Sequence, residues 1–185
     1  MDNGASSYRR FLDGDEAGLI EIIRDYKDGL MLYLNGFVDN IYTAEDMTEE
    51  TFVKLVVKRP KFSAKSTFKT WLYAIGRNVA IDYPRRHSKS AGRPIEAYHH
   101  RLSDEERLER SYLREEQKVM VHQALKKLRP EYRQVLYLIY YEDFDHSQAA
   151  AVMGKNKRQI ENLVYRAKLS LKSVLEKGGF HYEEL

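Results

Sequence analysis

Apolar residues recur along most of the chain at intervals of three and four, the spacing of one face of an α-helix. They predict one helix beginning near Ala17, a second from Leu30 to Val38 and a third from Ala44 to Val57. Pro60 ends the third helix, because the residue before a proline avoids the α region. A fourth helix is predicted from Thr67 to Tyr83. Its predicted core face comprises Phe68, Trp71, Leu72, Ile75 and Val79.

Ser, Gly and Pro interrupt this pattern between His87 and Arg101, so the sequence predicts a flexible linker there. Helical spacing then returns with a long predicted helix from Ser103 to Leu128 and another that begins at Pro130, a residue suited to a first helical turn. The alternation typical of strands is weak throughout. We therefore expect an all-α fold of two small helical domains joined by a flexible linker. The predicted bounds are 1–86 for the first domain, 87–110 for the linker and 111–180 for the second domain.

The most informative stretch lies in the middle of the C-terminal half. Asp145 with Gln148, and Asn156 with Gln159, have the spacing of capping boxes, in which each side chain bonds the backbone amide of the other residue. Gly154 lies between them and tolerates a left-handed turn without steric cost. Two helices joined in this way are typical of a helix-turn-helix motif.

The second helix of this motif carries basic and amide residues at its N-terminal end. The candidate DNA contacts are Lys155, Lys157, Arg158, Gln159, Asn162 and Arg166. In the major groove arginine pairs with guanine, and asparagine or glutamine pairs with adenine. Between Val119 and Gly178 there are eleven bases and six acids, the excess expected of a nucleic-acid-binding domain. The alternative, a plain helical hairpin inside a bundle, leaves these residues unexplained.

The overall charge is nearly balanced, with 31 Lys and Arg against 28 Asp and Glu, but its sign is segregated along the chain. Six acids and no base lie between Asp28 and Val53, whereas seven bases and no acid lie between Thr51 and Ile81. Adjacent blocks of opposite sign indicate two surfaces for two different partners. The alternative is a pair of solvated helix faces with no partner.

Several classes of protein are not expected from the composition. Cysteine is absent, which excludes disulfides, thiolate metal sites and a cysteine nucleophile. No signal peptide or apolar run of membrane-spanning length occurs, so we expect a cytoplasmic protein without membrane insertion. Among the six histidines, His99 and His100 are adjacent and no pair has the spacing of metal ligands. The sequence therefore predicts no catalytic residue, no metal site and no cofactor, and an enzyme such as a metal-dependent nuclease is not expected.

Three segments, in order along the chain, carry a family resemblance. Residues 44–55 read AEDMTEETFVKL, similar to an "AEDLxQETF" helix, and residues 68–82 read FKTWLYAIGRNVAID, similar to "FxxWLYxIARNxAID". The helix-turn-helix ends in YRAK at 165–168, similar to "HRARxxL". These patterns belong to bacterial RNA polymerase sigma factors of the extracytoplasmic-function (ECF) type, in the sigma-70 superfamily, which this chain resembles.

The resemblance implies a promoter-specificity subunit that binds core RNA polymerase and directs transcription initiation by recognising and melting promoter DNA. The first predicted domain would be sigma region 2, which docks on the clamp of the largest polymerase subunit and recognises the minus-ten element. Its implied docking residues are Asp46, Glu49, Glu50 and Phe52. Its implied minus-ten contacts are Lys61, Phe62, Ser63, Lys65, Lys69, Tyr73, Arg77, Asn78, Asp82, Arg85 and Arg86. Pro84 is a departure from the family pattern and is expected to end or kink the minus-ten helix.

The second predicted domain would be sigma region 4, whose helix-turn-helix residues named above would read the minus-thirty-five element. It would also contact the flap of the second-largest polymerase subunit, and the resemblance implies control by an anti-sigma factor. The competing hypothesis is a free-standing helix-turn-helix regulator whose N-terminal domain binds a ligand or dimerises. The acidic and basic blocks and the segment from Trp71 to Asp82 argue against it, because such a regulator needs no single-strand platform.

Overall fold

The computed structural model describes residues 3–87 and 120–179, with side chains described up to residue 83 in the first range. These residues form helices and contain no strand, as the all-α prediction requires. The predicted linker lies outside the described residues apart from His87. The helices are α1 (Asn3–Leu12), α2 (Glu16–Val38), α3 (Ile41–Lys58), α4 (Phe68–His87), α5 (120–126), α6 (Pro130–Tyr140), α7 (His146–Met153) and α8 (Lys157–Lys177). We call α1–α4 the N-terminal unit and α5–α8 the C-terminal unit.

Helix α1 is an element that the sequence analysis does not predict. Its buried face consists of Gly4, Ser7, Tyr8 and Phe11, which recur at helical spacing but include only two large apolar side chains. Tyr8 is 1% exposed and packs its ring against Phe68, at 5.5 Å between centroids. The helix is therefore stabilised mainly by tertiary packing of its two aromatic residues, a contribution that a short pattern does not reveal.

Helix α2 is continuous, whereas the sequence analysis predicts two helices over this range. Gly29 lies inside this helix, and glycine in a helix interior lowers the stability of the helix by about 0.5–1 kcal/mol relative to alanine. A Cβ at this position would lie 2.6 Å from both Glu142 Oε1 and Tyr73 Oη, so the glycine permits a close approach of two other elements. Ile22 and Leu30, both 0% exposed, are buried before and after Gly29, and their packing stabilises the continuous helix.

The two prolines expected to terminate helices behave differently. Pro60 follows the end of α3 as predicted, and Arg59 before it adopts a left-handed conformation with φ 42°. Pro84 does not end α4, because the helix continues to His87; the alternative expectation, a kink at Pro84, stays a prediction. Proline in a helix interior removes one backbone amide, here the one that would bond the carbonyl of Ala80. The loss of that single bond near the end of the helix does not stop the last turn.

The helix-turn-helix has the local geometry that the sequence predicts. Asp145 Oδ1 accepts from the amide of Gln148 at 2.8 Å, and Gln148 Oε1 accepts from the amide of Asp145 at 2.9 Å. The second capping box repeats this pattern, with 2.8 Å to Asn156 Oδ1 and 2.9 Å to Gln159 Oε1. Gly154 between the helices has φ 63°, the left-handed conformation expected of it. Both capping boxes and the glycine turn are thus confirmed.

The two units pack against one another. Helix α4 lies against α7, and α2 lies against both α4 and α6. Tyr33 and Tyr73 of the N-terminal unit and Leu138 and Phe144 of the C-terminal unit belong to one buried cluster. We refer to this packing of the two units as the closed arrangement.

Candidate polymerase- and DNA-binding surfaces

The acidic residues of α3 lie at its surface. Asp46 and Glu49 are exposed, and Asp46 Oδ2 accepts a hydrogen bond from the Tyr83 hydroxyl at 3.2 Å. Glu50 is half-buried and pairs with Lys54 one turn further along, at 3.4 Å. The helix therefore presents carboxylates to solvent, which favours a partner with a basic surface.

Phe52, predicted to contact the polymerase, belongs to the core instead. It is 7% exposed and lies in the main buried cluster. The apolar side chains that α3 does present to solvent are Val53, Val56 and Val57, with 55%, 40% and 73% exposure. These valines are not among the predicted contacts, although they lie one to three helical turns from the acids, which is the sequence feature that indicates them. The exposed side of α3 therefore carries carboxylates beside valines and does not include Phe52.

The basic loop between α3 and α4 is anchored by aromatic residues. The Tyr8 hydroxyl donates to the carbonyl of Pro60 at 2.8 Å, and burial raises the pKa of this phenol. Phe62 packs its ring 5.2 Å from Trp71, so it fixes the loop rather than projecting from it. The exposed predicted contacts in this loop are Lys61, Ser63 and Lys65. The loop thus places the ammonium groups of Lys61 and Lys65 and the hydroxyl of Ser63 in solvent, above aromatic residues that pack against the core.

The predicted DNA-facing residues towards the end of α4 vary in exposure. Asn78 is exposed, whereas Arg77 and Asp82 are half-buried. Arg77 Nε is buried and has no hydrogen-bond partner among the described residues. Arg85 and Arg86 lie on the last turn of α4, and their side chains lie outside the described residues.

Lys69 and Tyr73, near the start of α4, are covered by the C-terminal unit. Lys69 Nζ lies 2.8 Å from Glu142 Oε2 and 2.9 Å from the backbone carbonyl oxygen of the same residue. Tyr73 is 0% exposed, and its ring meets that of Phe144 edge-on at 5.3 Å between centroids. In the closed arrangement Tyr73 is therefore buried and Lys69 is paired with Glu142, so the two side chains do not form an open face there. Their contact with a single strand stays a prediction. The covering residues come from more than seventy positions away, which sequence periodicity does not reveal.

The Glu142 carboxylate is enclosed by groups that stabilise its negative charge. Its side chain is only 11% exposed, and besides Lys69 it lies 3.1 Å from the hydroxyl of Tyr137. Burial raises the pKa of Tyr73 and of Tyr137, and the adjacent Glu142 carboxylate raises both further. Both phenols therefore stay protonated and able to donate, so the buried carboxylate is satisfied by an ammonium group and hydroxyl groups.

The start of α8 is open, in contrast to the start of α4. The exposed candidate contacts are Lys157, Arg158, Gln159, Asn162 and Arg166. Lys155 is half-buried and pairs with Glu131 at 3.3 Å. Gln159 uses its side-chain oxygen in the capping box, which leaves its NH₂ group available as a donor. This end of α8 therefore exposes guanidinium and amide groups, the donor types that read base edges in a major groove.

In residues 3–87 and 120–179, no three histidine or acidic side chains come together in a way that could hold a metal ion. No helix in this part of the chain is both long and apolar enough to cross a membrane. The groups that the surfaces described above present are carboxylates, valines, ammonium and guanidinium groups, and amides.

Comparison with known families matches both halves of the chain. Residues 22–90 match the family described as sigma-70 region 2, and residues 118–171 match the one described as sigma-70, region 4. A probable RNA polymerase sigma-C factor from Mycobacterium bovis is 33% identical over 136 residues, which are 73% of this chain and 71% of that protein. The RNA polymerase sigma factor YlaC of Bacillus subtilis is 26% identical over 166 residues, 85% of this chain and 92% of YlaC.

Two solved structures share the fold. RpoE of Bartonella quintana, solved as a complex with the anti-sigma factor NepR, has a TM-score of 0.62 at 24% identity, over 84% of this chain and 95% of RpoE. CnrH, solved in complex with the cytosolic domain of CnrY, has a TM-score of 0.64 at 20% identity, over 95% of this chain and 96% of CnrH. At these identities the likeness concerns the helical architecture.

Proposed function

This chain belongs to the RNA polymerase sigma factors of the ECF type in the sigma-70 family, and we propose that its opposed charged surfaces divide polymerase docking from promoter recognition. A sigma factor is the promoter-specificity subunit of RNA polymerase. In this proposal the chain catalyses no reaction itself, and its binding energy positions the polymerase and separates the promoter strands. The observation that carries the proposal is that exposed acids lie on α3 whereas exposed bases lie in the 59–67 loop and at the start of α8.

The polymerase-facing surface is the exposed side of α3. Asp46, Glu49 and Glu50 supply negative charge, and Val53 and Val57 supply exposed apolar area beside it. Apolar anchors provide affinity in such an interface, whereas the surrounding charges steer association and exclude wrong partners. We propose that this surface meets the clamp of the largest polymerase subunit.

The minus-ten surface combines the 59–67 loop with α4. Lys61, Lys65 and Lys69 provide cations for the backbone of an unpaired strand, and the polar groups of Ser63 and Asn78 are able to hydrogen-bond bases. Proteins hold single strands by a basic groove together with aromatic stacking, and they read individual bases that have been turned out of the stack. Arg77, Asp82, Arg85 and Arg86 extend the proposed surface along α4.

The minus-thirty-five surface is the N-terminal end of α8. Arg158, Gln159, Asn162 and Arg166 would face base edges, with Lys155 and Lys157 towards phosphates. The C-terminal unit would also meet the flap of the second-largest polymerase subunit. The proposed domains are those of the sequence prediction, 1–86 and 111–180, and a cytoplasmic location follows from the proposed polymerase partner.

We further propose that an anti-sigma factor regulates this chain. The support is the shared fold with RpoE of Bartonella quintana, which was solved with its anti-sigma factor NepR bound. The exposed acids and valines of α3 would then serve two competing partners, core polymerase and the anti-sigma factor.

Reconstituted transcription tests the proposal. The full chain is mixed with core polymerase and a library of genomic promoter fragments, and the transcripts are sequenced. We expect specific initiation that requires both proteins, together with weak binding of duplex promoter by the isolated chain. Specific duplex binding without polymerase, and no transcript from any fragment, would instead favour the free-standing regulator.

Charge reversal tests the docking surface separately. The double variant Asp46→Lys, Glu50→Lys should lose co-purification with core polymerase, because it places positive charge on the surface proposed to meet a basic partner. The matched control is Asp13→Lys, Glu16→Lys, which reverses two exposed acids outside α3. Equal retention of both double variants would show that docking occurs elsewhere on the chain.

A further inference from the structure

The loop between α6 and α7 presents two unlike groups to α4. Glu142 places its carboxylate 2.8 Å from the Lys69 ammonium, and Phe144 places its ring edge-on against Tyr73. Asp143 between them has φ 55°, a left-handed conformation that few residues other than glycine adopt readily. With this conformation in between, Glu142 and Phe144, two positions apart, both contact the same helix.

These contacts reproduce the chemistry of a nucleic-acid strand. A single strand offers an anionic phosphate to a lysine and a planar base to an aromatic ring. The loop places a carboxylate against Lys69 and the edge of a phenyl ring against Tyr73, so it occupies the two side chains that a phosphate and a base would contact. One ammonium group and one aromatic ring cannot hold the loop and a strand in the same place at once.

We propose that residues 142–144 form an intramolecular latch that occupies the strand-binding part of α4 and must leave before the minus-ten strand binds there. This inference rests on the proposed function of α4 and concerns its regulation. The latch hides only one DNA surface, since Arg158 and Asn162 remain exposed in the closed arrangement. The acids of α3 are accessible as well, so the closed chain can meet core polymerase before the latch opens.

The glycines of α2 provide a matched pair of variants that tests the latch. A Cβ at Gly29 would lie 2.6 Å from Glu142 Oε1 and from Tyr73 Oη, whereas a Cβ at Gly36 would lie 3.7 Å from its nearest neighbour. Both substitutions to alanine favour the helix itself. Gly29→Ala should therefore displace the Glu142 side chain and weaken its contact with α4, whereas Gly36→Ala should leave that contact in place.

Fluorescence resonance energy transfer between two dyes, one on each unit of the full chain, measures the distance between the units. Because the chain contains no cysteine, Ile20→Cys on α2 and Leu169→Cys on α8, both at exposed positions, accept a dye pair without interference. Gly29→Ala should lower the transfer efficiency relative to Gly36→Ala. It should also tighten binding of a fluorescent single-stranded minus-ten oligonucleotide, from a promoter identified by transcription, by about tenfold, since apparent affinity scales with the open fraction.

A charge swap provides an independent test. Glu142→Lys replaces an ion pair with two ammonium groups and should lower the transfer efficiency. The double variant Lys69→Glu, Glu142→Lys restores opposite charges and should return the efficiency towards that of the unaltered chain. Circular dichroism of each variant shows that its helices are retained.

The outcomes separate the latch from the proposed function. Unchanged transfer efficiency in folded Gly29→Ala and Glu142→Lys would overturn the latch, and transcription with core polymerase would be unaffected by that result. Opening of the units with no gain in single-strand binding would instead overturn the assignment of this part of α4 to the minus-ten strand. Opening together with tighter binding supports both.

Discussion

The two proposed DNA surfaces of this molecule are built from contacts of very different range. The start of α8 owes its geometry to side chains three residues apart, in the capping boxes at Asn156 and Asp145. The start of α4 owes its environment to Lys69 and Glu142, which are 73 residues apart. Arg158 and Asn162 are exposed at the first surface, whereas Tyr73 is buried and Lys69 is paired with Glu142 in the second. Local contacts therefore determine the shape of a surface, whereas distant contacts determine whether a ligand can reach it.

The largest expected effect is on stability and comes from truncating Tyr73, which is buried on α4. Tyr165, which is exposed on α8, provides the matched comparison. Tyr73→Ala should lower the free energy of unfolding by about 3–5 kcal/mol, as for other large aromatic truncations in a core. Tyr165→Ala makes the same chemical change at a side chain that is 65% exposed. It should alter the free energy of unfolding by no more than about 0.5 kcal/mol. Denaturant unfolding followed by circular dichroism measures both values.

A small effect of Tyr73→Ala would contradict the contrast between the two surfaces. It would mean that the α4 face is solvated in solution and that the units separate readily. A large effect of Tyr165→Ala would mean that α8 has packing partners beyond those in the described residues.

Most of the fold can be predicted from the sequence because its determinants are local. The positions of Gly154, Pro130 and the two capping boxes each depend on neighbours within a few residues, and the structure agrees at all of them. The end of α3 at Lys58 follows from Pro60 in the same way. At Gly29, where two helices are predicted in place of continuous α2, the glycine permits the close approach of Glu142 and Tyr73, which lie far away along the chain.

The surfaces can be predicted only in part. The chemical type of each candidate residue is readable from the sequence, but its burial is not. Phe52 lies close to the acids along α3, but it is buried in the core. Val53 and Val57 are the apolar side chains exposed near those acids. Helical spacing alone does not show whether Tyr73 is core or surface, because the residue that covers it, Phe144, belongs to the other unit.

The second-largest expected effect is on recognition of the minus-thirty-five element by the start of α8. Arg158→Ala should reduce discrimination at one minus-thirty-five base pair by about 1–3 kcal/mol if its guanidinium bonds a guanine in two places. Lys157→Ala is the control, because a phosphate contact should weaken all sequences equally. Transcription from a library of promoters randomised at that element measures both. A uniform loss for Arg158→Ala would reassign this residue to the DNA backbone.

The smallest effect tests whether the exposed surface depends on local contacts alone. Asp145 accepts hydrogen bonds from the amides of Ser147 and Gln148 at 2.7 and 2.8 Å, so Asp145→Ala removes the acceptor of both. Loss of such a helix cap should lower the free energy of unfolding by about 1 kcal/mol. Asp145→Asn keeps the acceptor and should retain most of the stability. Single-strand binding should stay unchanged in both variants, because α7 would fray at its end without moving Glu142 from Lys69. A gain in single-strand binding for Asp145→Ala would show that the cap also holds the loop on α4, and the local and distant contacts would then be coupled.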